Sequence, residues 1–137
     1  MVRYFDSEAP FPLERGGELP ALRIAYHTYG EPNAARDNVV WVCHALTANS
    51  DHTVEEGRFL DPSRWFVVCA NILGSHYGTT GPLHENPATG RPWYGDFPRL
   101  TIRDMVAAHR LLASALGIGR IAALVGSSVG GFQAVEW

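Results

Sequence analysis

The sequence predicts an α/β fold with a mostly parallel sheet. Three observations carry that expectation: continuous apolar runs of strand length at residues 38–43, 65–70 and 121–125, an amphipathic helical pattern before the last run, and a glycine-flanked serine directly after it. Runs that are apolar at every position suit strands buried on both faces, as in parallel sheets. Strand, helix and strand in succession form a right-handed crossover, which makes the sheet parallel there.

The elements follow in order. Residues 1–20 mix Pro, Gly and acidic side chains and read as an irregular lead-in, with a short strand near residues 11–13. From Leu22 to Tyr29 the apolar positions alternate, so a half-exposed strand is expected, closed by the turn Gly30-Glu31-Pro32-Asn33. Two fully apolar strands come next, ending at Cys43 and at Ala70. Each cysteine sits in such a run, the setting of a small buried hydrophobe rather than of a disulfide. Residues 74–98 are rich in Gly and Pro and too long to be idle in a compact domain. Thr101 with Asp104 three residues on is a helix start, and Ile102, Met105, Val106, His109, Leu112, Ala113 and Leu116 recur at helical spacing up to Gly117.

Composition removes several functional classes. Apolar residues make up 46% of the 137 positions and charged ones 18%, against roughly 25% charged in an average domain, so the chain has material for a core and is not disordered. A net charge of -3 without a clustered basic footprint argues against a nucleic-acid or membrane-surface partner. All 11 basic side chains are Arg, which excludes a Schiff-base lysine and a phosphate-loop lysine within these residues. The N-terminus carries no apolar signal region, and no stretch approaches the roughly 18 to 20 apolar residues that span a bilayer. The expectation is a soluble, cytoplasmic protein.

The chemistry concentrates in Leu124-Val125-Gly126-Ser127-Ser128-Val129-Gly130-Gly131, a buried strand entering Gly-x-Ser-x-Gly and then a helix. That is the nucleophile elbow of the α/β-hydrolase fold. Small residues two positions either side of the serine let strand and helix approach, and Ser128 is the serine so flanked. Its hydroxyl is expected at the carboxyl end of the sheet, with the backbone N–H of Val129 available to an oxyanion. Dinucleotide and phosphate loops fail on their required residues, since Phe132 stands where the latter needs Lys. Cys43-His44-Ala45-Leu46-Thr47 follows the central strand, where this fold places the loop donating its second oxyanion N–H, so Leu46 is the candidate donor. His44 is read as a structural ring that ties down this loop. His27, His52, His76, His84 and His109 lack metal-ligand spacing and are read as scattered exposed or loop histidines, and no metal site is expected.

Taken with Asn71-Ile72-Leu73-Gly74, Tyr77-Gly78-Thr79-Thr80-Gly81-Pro82, Asp96-Phe97-Pro98 and Thr101-Ile102-Arg103-Asp104-Met105, residues 22–137 resemble the homoserine O-acetyltransferases of methionine biosynthesis. The resemblance implies an α/β-hydrolase fold used for acyl transfer. Ser128 would take an acetyl group from acetyl-CoA, here a cosubstrate with no further cofactor, and pass it to the γ-hydroxyl of L-homoserine. Ser128 matches the family's nucleophile, and Leu46 and Val129 its oxyanion donors. The Asp and His partners follow the serine in this fold, and nine residues follow Ser128 here. Ser127 and Val129 depart from the family's more usual Gly and Met, and residues 51–60 are shorter than the family's segment and lack its paired tryptophans. The chain is therefore expected to be the N-terminal portion of a single α/β-hydrolase domain, residues 1–137, ending just after the elbow, with lid and C-terminal part absent. As a full-length protein it is expected to be a homodimer acting on small molecules, and the fragment alone to be inactive. The quoted motifs fit an acetyl or succinyl donor and a homoserine or serine acceptor. A serine esterase or thioesterase, and a non-catalytic remnant, are the competing readings.

Overall fold

A computed structural model describes residues 1–51 and 57–137. His52, one of the histidines considered above, lies outside the described residues, as does half of the segment 51–60. The described elements are β1 (Arg3–Ser7), β2 (Phe11–Pro12), β3 (Glu18–Leu19), β4 (Leu22–Tyr29), β5 (Val39–Cys43), β6 (Phe66–Ala70), β7 (Glu85–Asn86), β8 (Arg91–Pro92), α1 (Ile102–Ala115), β9 (Ala123–Gly126) and α2 (Val129–Glu136). Five strands form one sheet in the order β1-β4-β6-β5-β9. β6, β5 and β9 run parallel, while β1 and β4 add an antiparallel margin.

The apolar runs become the strands that their composition requires. Every residue of β5 and of β6 is buried, because both strands have neighbours on each side and cover on each face. One face carries Val39, Trp41 and Cys43 into a core shared with Ala108 and Leu112 of α1, and the other carries Val40 and Val42 against Val67 and Cys69. Both cysteines are free and buried; burial pushes the Cys43 thiol up to about 12 and the Cys69 thiol higher still.

Residues 3–7, expected to be irregular, form β1 because the backbone edge of β4 gives them an antiparallel partner, and two of the expected strands differ in burial. β4 is less exposed than its alternation suggests, since Ala25 on the supposed outer face is fully buried; a side chain in place of Gly78 would lie within 3.1 Å of its methyl. The run at residues 121–125 starts as a strand only at Ala123 and is half-buried rather than buried, because β9 is an edge strand paired with β5 alone among the described residues.

Helix α1 begins as its sequence dictates. Thr101 Oγ1 accepts from the Asp104 N–H, and the Asp104 carboxylate accepts from the Thr101 N–H, a complete capping box. The same carboxylate also accepts from the Glu14 N–H at 2.8 Å, which ties the N-terminal lead-in to the helix. At the other end Gly117 takes φ +68, with its N–H on Ser114 O and the Ile118 N–H on Ala113 O, the paired bonds of a Schellman stop. Asp104 satisfies more donors than Thr101, so its loss should cost more. Thr101→Ala is expected to cost about 1 kcal/mol and Asp104→Ala about 2–3 kcal/mol, read as urea midpoints at unchanged m-value. The opposite ranking would show that the Glu14 tie contributes nothing.

The histidines correct a simpler expectation. His109 is not exposed: it is fully buried on α1, with ring centroids 5.8 Å from Trp41 and 6.4 Å from Trp137, and burial lowers its pKa to about 4. An imidazole on the apolar stripe of a core-facing helix follows that stripe inward. His27 is a half-buried strand residue, hydrogen-bonded through Nδ1 to Ser50 Oγ at 2.9 Å. His76 and His84 are loop residues, as expected.

Candidate active site

The site grows out of the β5–β9 pairing. Cys43 pairs with Gly126, so the residues that follow each strand leave the sheet side by side. After β9 the chain reverses within one turn and enters α2, with Ser128 as the helix N-cap. Ser128 has φ 54 and ψ -127, a combination that side-chain-bearing residues rarely adopt. Such a backbone costs about 1–3 kcal/mol and persists only where its surroundings over-determine it.

Those surroundings are the two glycines. A Cβ on Gly126 would collide with the Gly130 carbonyl, and a Cβ on Gly130 would collide with the Cys43 carbonyl and lie 2.8 Å from that of His44. The end of β5, the end of β9 and the first turn of α2 are therefore in backbone contact. This is the physical content of the Gly-x-Ser-x-Gly pattern: glycine is the only residue that permits the approach, and the approach forces the serine backbone. Because the Ser128 side chain makes no capping bond to its own helix and is exposed, its hydroxyl is available to another molecule. The Val129 N–H, in the first turn of α2, has no internal partner among the described residues.

The loop after β5 supplies the second half. His44 is buried, and its Nε2 accepts from the Ile72 N–H at 3.1 Å. The ring must therefore carry its proton on Nδ1, which lies 2.8 Å from Ala45 O and donates to it. Both nitrogens are used in holding the loop, as expected for a structural ring. Leu46 is 74% exposed, and its N–H likewise has no internal partner among the described residues. Ser50 closes the loop, its N–H donating to Asn71 Oδ1 at 2.7 Å.

Residues 77–82, one of the motifs that carry the family resemblance, fasten the site to the sheet. Thr79 Oγ1 accepts from the Ala25 N–H and donates to Asn71 O, each at 3.0 Å. The Thr80 N–H donates to Arg23 O, and Thr80 Oγ1 accepts from the Arg23 N–H, so the block prolongs the edge of β4 where β6 has ended. Gly81 is needed because a Cβ there would lie 2.5 Å from Ser75 O. Between this block, the Leu46 loop and α1 lies a cavity of about 490 Å³, lined by Leu46, Leu73, Tyr77, Phe97, Leu100 and Met105 among others.

The structure thus brings Ser128 and Val129 together at the elbow and sets the Leu46 loop beside them. Sequence reasoning missed Asn71 as an individual residue. A polar side chain directly after the buried run ending at Ala70 was the available signal. No described histidine is hydrogen-bonded to Ser128.

Comparison with known proteins agrees with this architecture. The chain is 54% identical over 142 aligned residues to the homoserine O-acetyltransferase of Chlorobaculum tepidum, covering 99% of this chain and 40% of that protein. The crystal structure of homoserine O-acetyltransferase from Bacillus anthracis superposes with a TM-score of 0.88 at 30% identity, covering all of this chain and 42% of that one. That of the acetyl esterase MekB gives a TM-score of 0.87 at 28% identity, again over all of this chain and 40% of that one. The chain spans about 40% of the length of the curated relatives it matches. No helix among the described residues is long and apolar enough to cross a membrane. Residues 38–137 match the family described as the alpha/beta hydrolase fold; with its strained serine between two obligatory glycines at the end of a parallel strand, the chain belongs to the α/β-hydrolase fold family.

Proposed function

We propose that Ser128 is the nucleophile of an acyltransferase that moves an acetyl group from acetyl-CoA to the γ-hydroxyl of L-homoserine. The observation that carries this reading is the backbone of Ser128, φ 54 and ψ -127, which presents an uncommitted hydroxyl at the start of α2. The similarity to homoserine O-acetyltransferases over nearly the whole chain supports the choice of reaction.

In the first half-reaction Ser128 Oγ attacks the thioester carbonyl and loses its proton to a base. The carbonyl oxygen becomes an oxyanion, accepting from the Val129 and Leu46 N–H groups. The C–S bond then breaks, and the thiolate leaves as CoA after taking a proton. In the second half-reaction the γ-hydroxyl attacks the acetyl-serine carbonyl, its proton goes to the base, and Ser128 leaves with a proton restored. We propose that the base is a histidine oriented by an acidic residue, both encoded after Ser128 as the chain order of this fold has them.

Hydrolysis is the second reading, favoured by the structural likeness to the acetyl esterase MekB. The two differ in what releases CoA. A transferase must keep its acyl-serine from water until the acceptor arrives, so kinetics are expected to be ping-pong, with CoA release continuing past one equivalent only when L-homoserine is present. The measurement is thiol release from acetyl-CoA with and without acceptor, with succinyl-CoA run alongside to settle the donor. Rapid, sustained release without acceptor would establish the esterase instead.

A further inference from the structure

The loop that bears Leu46 is weakly held from within. Across residues 44–50 the internal backbone bond is Ala48 N–H to Ala45 O at 3.0 Å, and Leu46 and Thr47 at its tip are exposed. An N–H that must meet a developing charge has to be held in place before the reaction, since its value lies in preorganisation. What holds this one comes from outside the loop.

Both ends of the loop are gripped by two consecutive residues after β6. His44, at the start, accepts the Ile72 N–H; Ser50, at the end, donates its N–H to Asn71 Oδ1. Asn71 is itself immobilised. Its N–H donates to Ala25 O at 2.9 Å on β4, its carbonyl accepts from Thr79 Oγ1, and its Nδ2 donates to Tyr77 O at 2.8 Å. Its side chain is buried, and both polar ends of the amide are used, one on the Leu46 loop and the other on the Tyr77 block. The amide therefore bridges the two loops.

We propose that Asn71 is a positioning residue for acyl transfer: by clasping Ser50 and Tyr77 it fixes the loop that presents the Leu46 N–H to the oxyanion. This rests on the reading of Ser128 as an acyl-accepting nucleophile, and it adds a residue that never touches substrate. A carboxylate would not serve, because an oxygen in place of Nδ2 would face the Tyr77 carbonyl. An aliphatic side chain would leave the Ser50 N–H buried and unpaired.

The test uses the complete protein carrying this chain: with p-nitrophenyl acetate alone the burst of p-nitrophenol counts active serines, and with L-homoserine added as acceptor the steady rate gives kcat. Asn71→Ala should lower kcat per titrated serine by about 10²-fold with KM within about threefold, the signature of a group acting in the transition state. Its affinity for a trifluoromethyl ketone, whose adduct with Ser128 carries the oxyanion, should fall in parallel. Thr101→Ala, which destabilises α1 through its cap, should leave both quantities unchanged and so separates positioning from lost stability. If Asn71→Ala does not fold, Asn71→Ser, too short to span both partners, is read in the same two ways. A kcat within about threefold of wild type, or unchanged ketone affinity, would overturn the inference. A wild-type protein with no burst would overturn the nucleophile assignment itself, so the two failures are distinguishable.

Discussion

Ser128→Ala is expected to abolish the acetyl adduct formed from acetyl-CoA and to lower kcat by about 10⁴- to 10⁶-fold, since loss of the nucleophile in such sites removes the covalent route altogether. Ser127→Ala, one residue earlier and off the centre of the glycine frame, should leave the adduct in place. A third variant separates chemistry from backbone. Ser128 sits at φ 54, where a side chain is strained and glycine is not. Ser128→Gly should therefore be as inactive as Ser128→Ala yet more stable than wild type by about 1–2 kcal/mol, the strain that the elbow stores. Intact-mass analysis after incubation with acetyl-CoA, together with urea melts of all three variants, decides the matter. An adduct on the Ala variant, or a Gly variant less stable than wild type, would contradict the account.

The second large effect separates two adjacent glycines. Gly130 and Gly131 both lie in the first turn of α2. At Gly130 an added methyl would overlap the Cys43 carbonyl, which belongs to the central strand and cannot move without breaking the β5–β9 pairing. Gly130→Ala is accordingly expected to cost about 3 kcal/mol or more, or to prevent folding. At Gly131 the nearest atom to the added methyl is Gly126 O at 3.6 Å, ordinary contact. There the helix propensity of alanine should prevail, and Gly131→Ala should stabilise by about 0.5–1 kcal/mol. Equal effects at the two positions would mean that the tight strand–helix approach at Gly130 is not what the elbow requires.

Much of this was legible in the residues before any fold was drawn. The apolar runs of β5 and β6 could only be strands buried on both faces, because nothing in them can face water. Thr101, Asp104 and Gly117 set both ends of α1 through local hydrogen bonds and local dihedral preference, which neighbours in sequence decide among themselves. The Gly-x-Ser-x-Gly spacing marked Ser128 because it encodes a steric requirement within five residues. Such features were fixed by short-range physics, and the sequence displays them directly.

Other features depended on which distant segments meet. The burial of Ala25 needs Gly78, and the neutrality of His109 comes from burial beside Trp41 and Trp137. None of these partners lies close in the chain. Asn71 is the clearest instance, because its side chain is given a role by Ser50 and its main chain by Ala25 and Thr79, brought together from three separate stretches. By itself the sequence determined the two central strands, the caps of α1 and the serine at the elbow; the tertiary structure decided what holds that serine's surroundings in place, since a hydrogen bond between remote segments exists only once the sheet has set their distance.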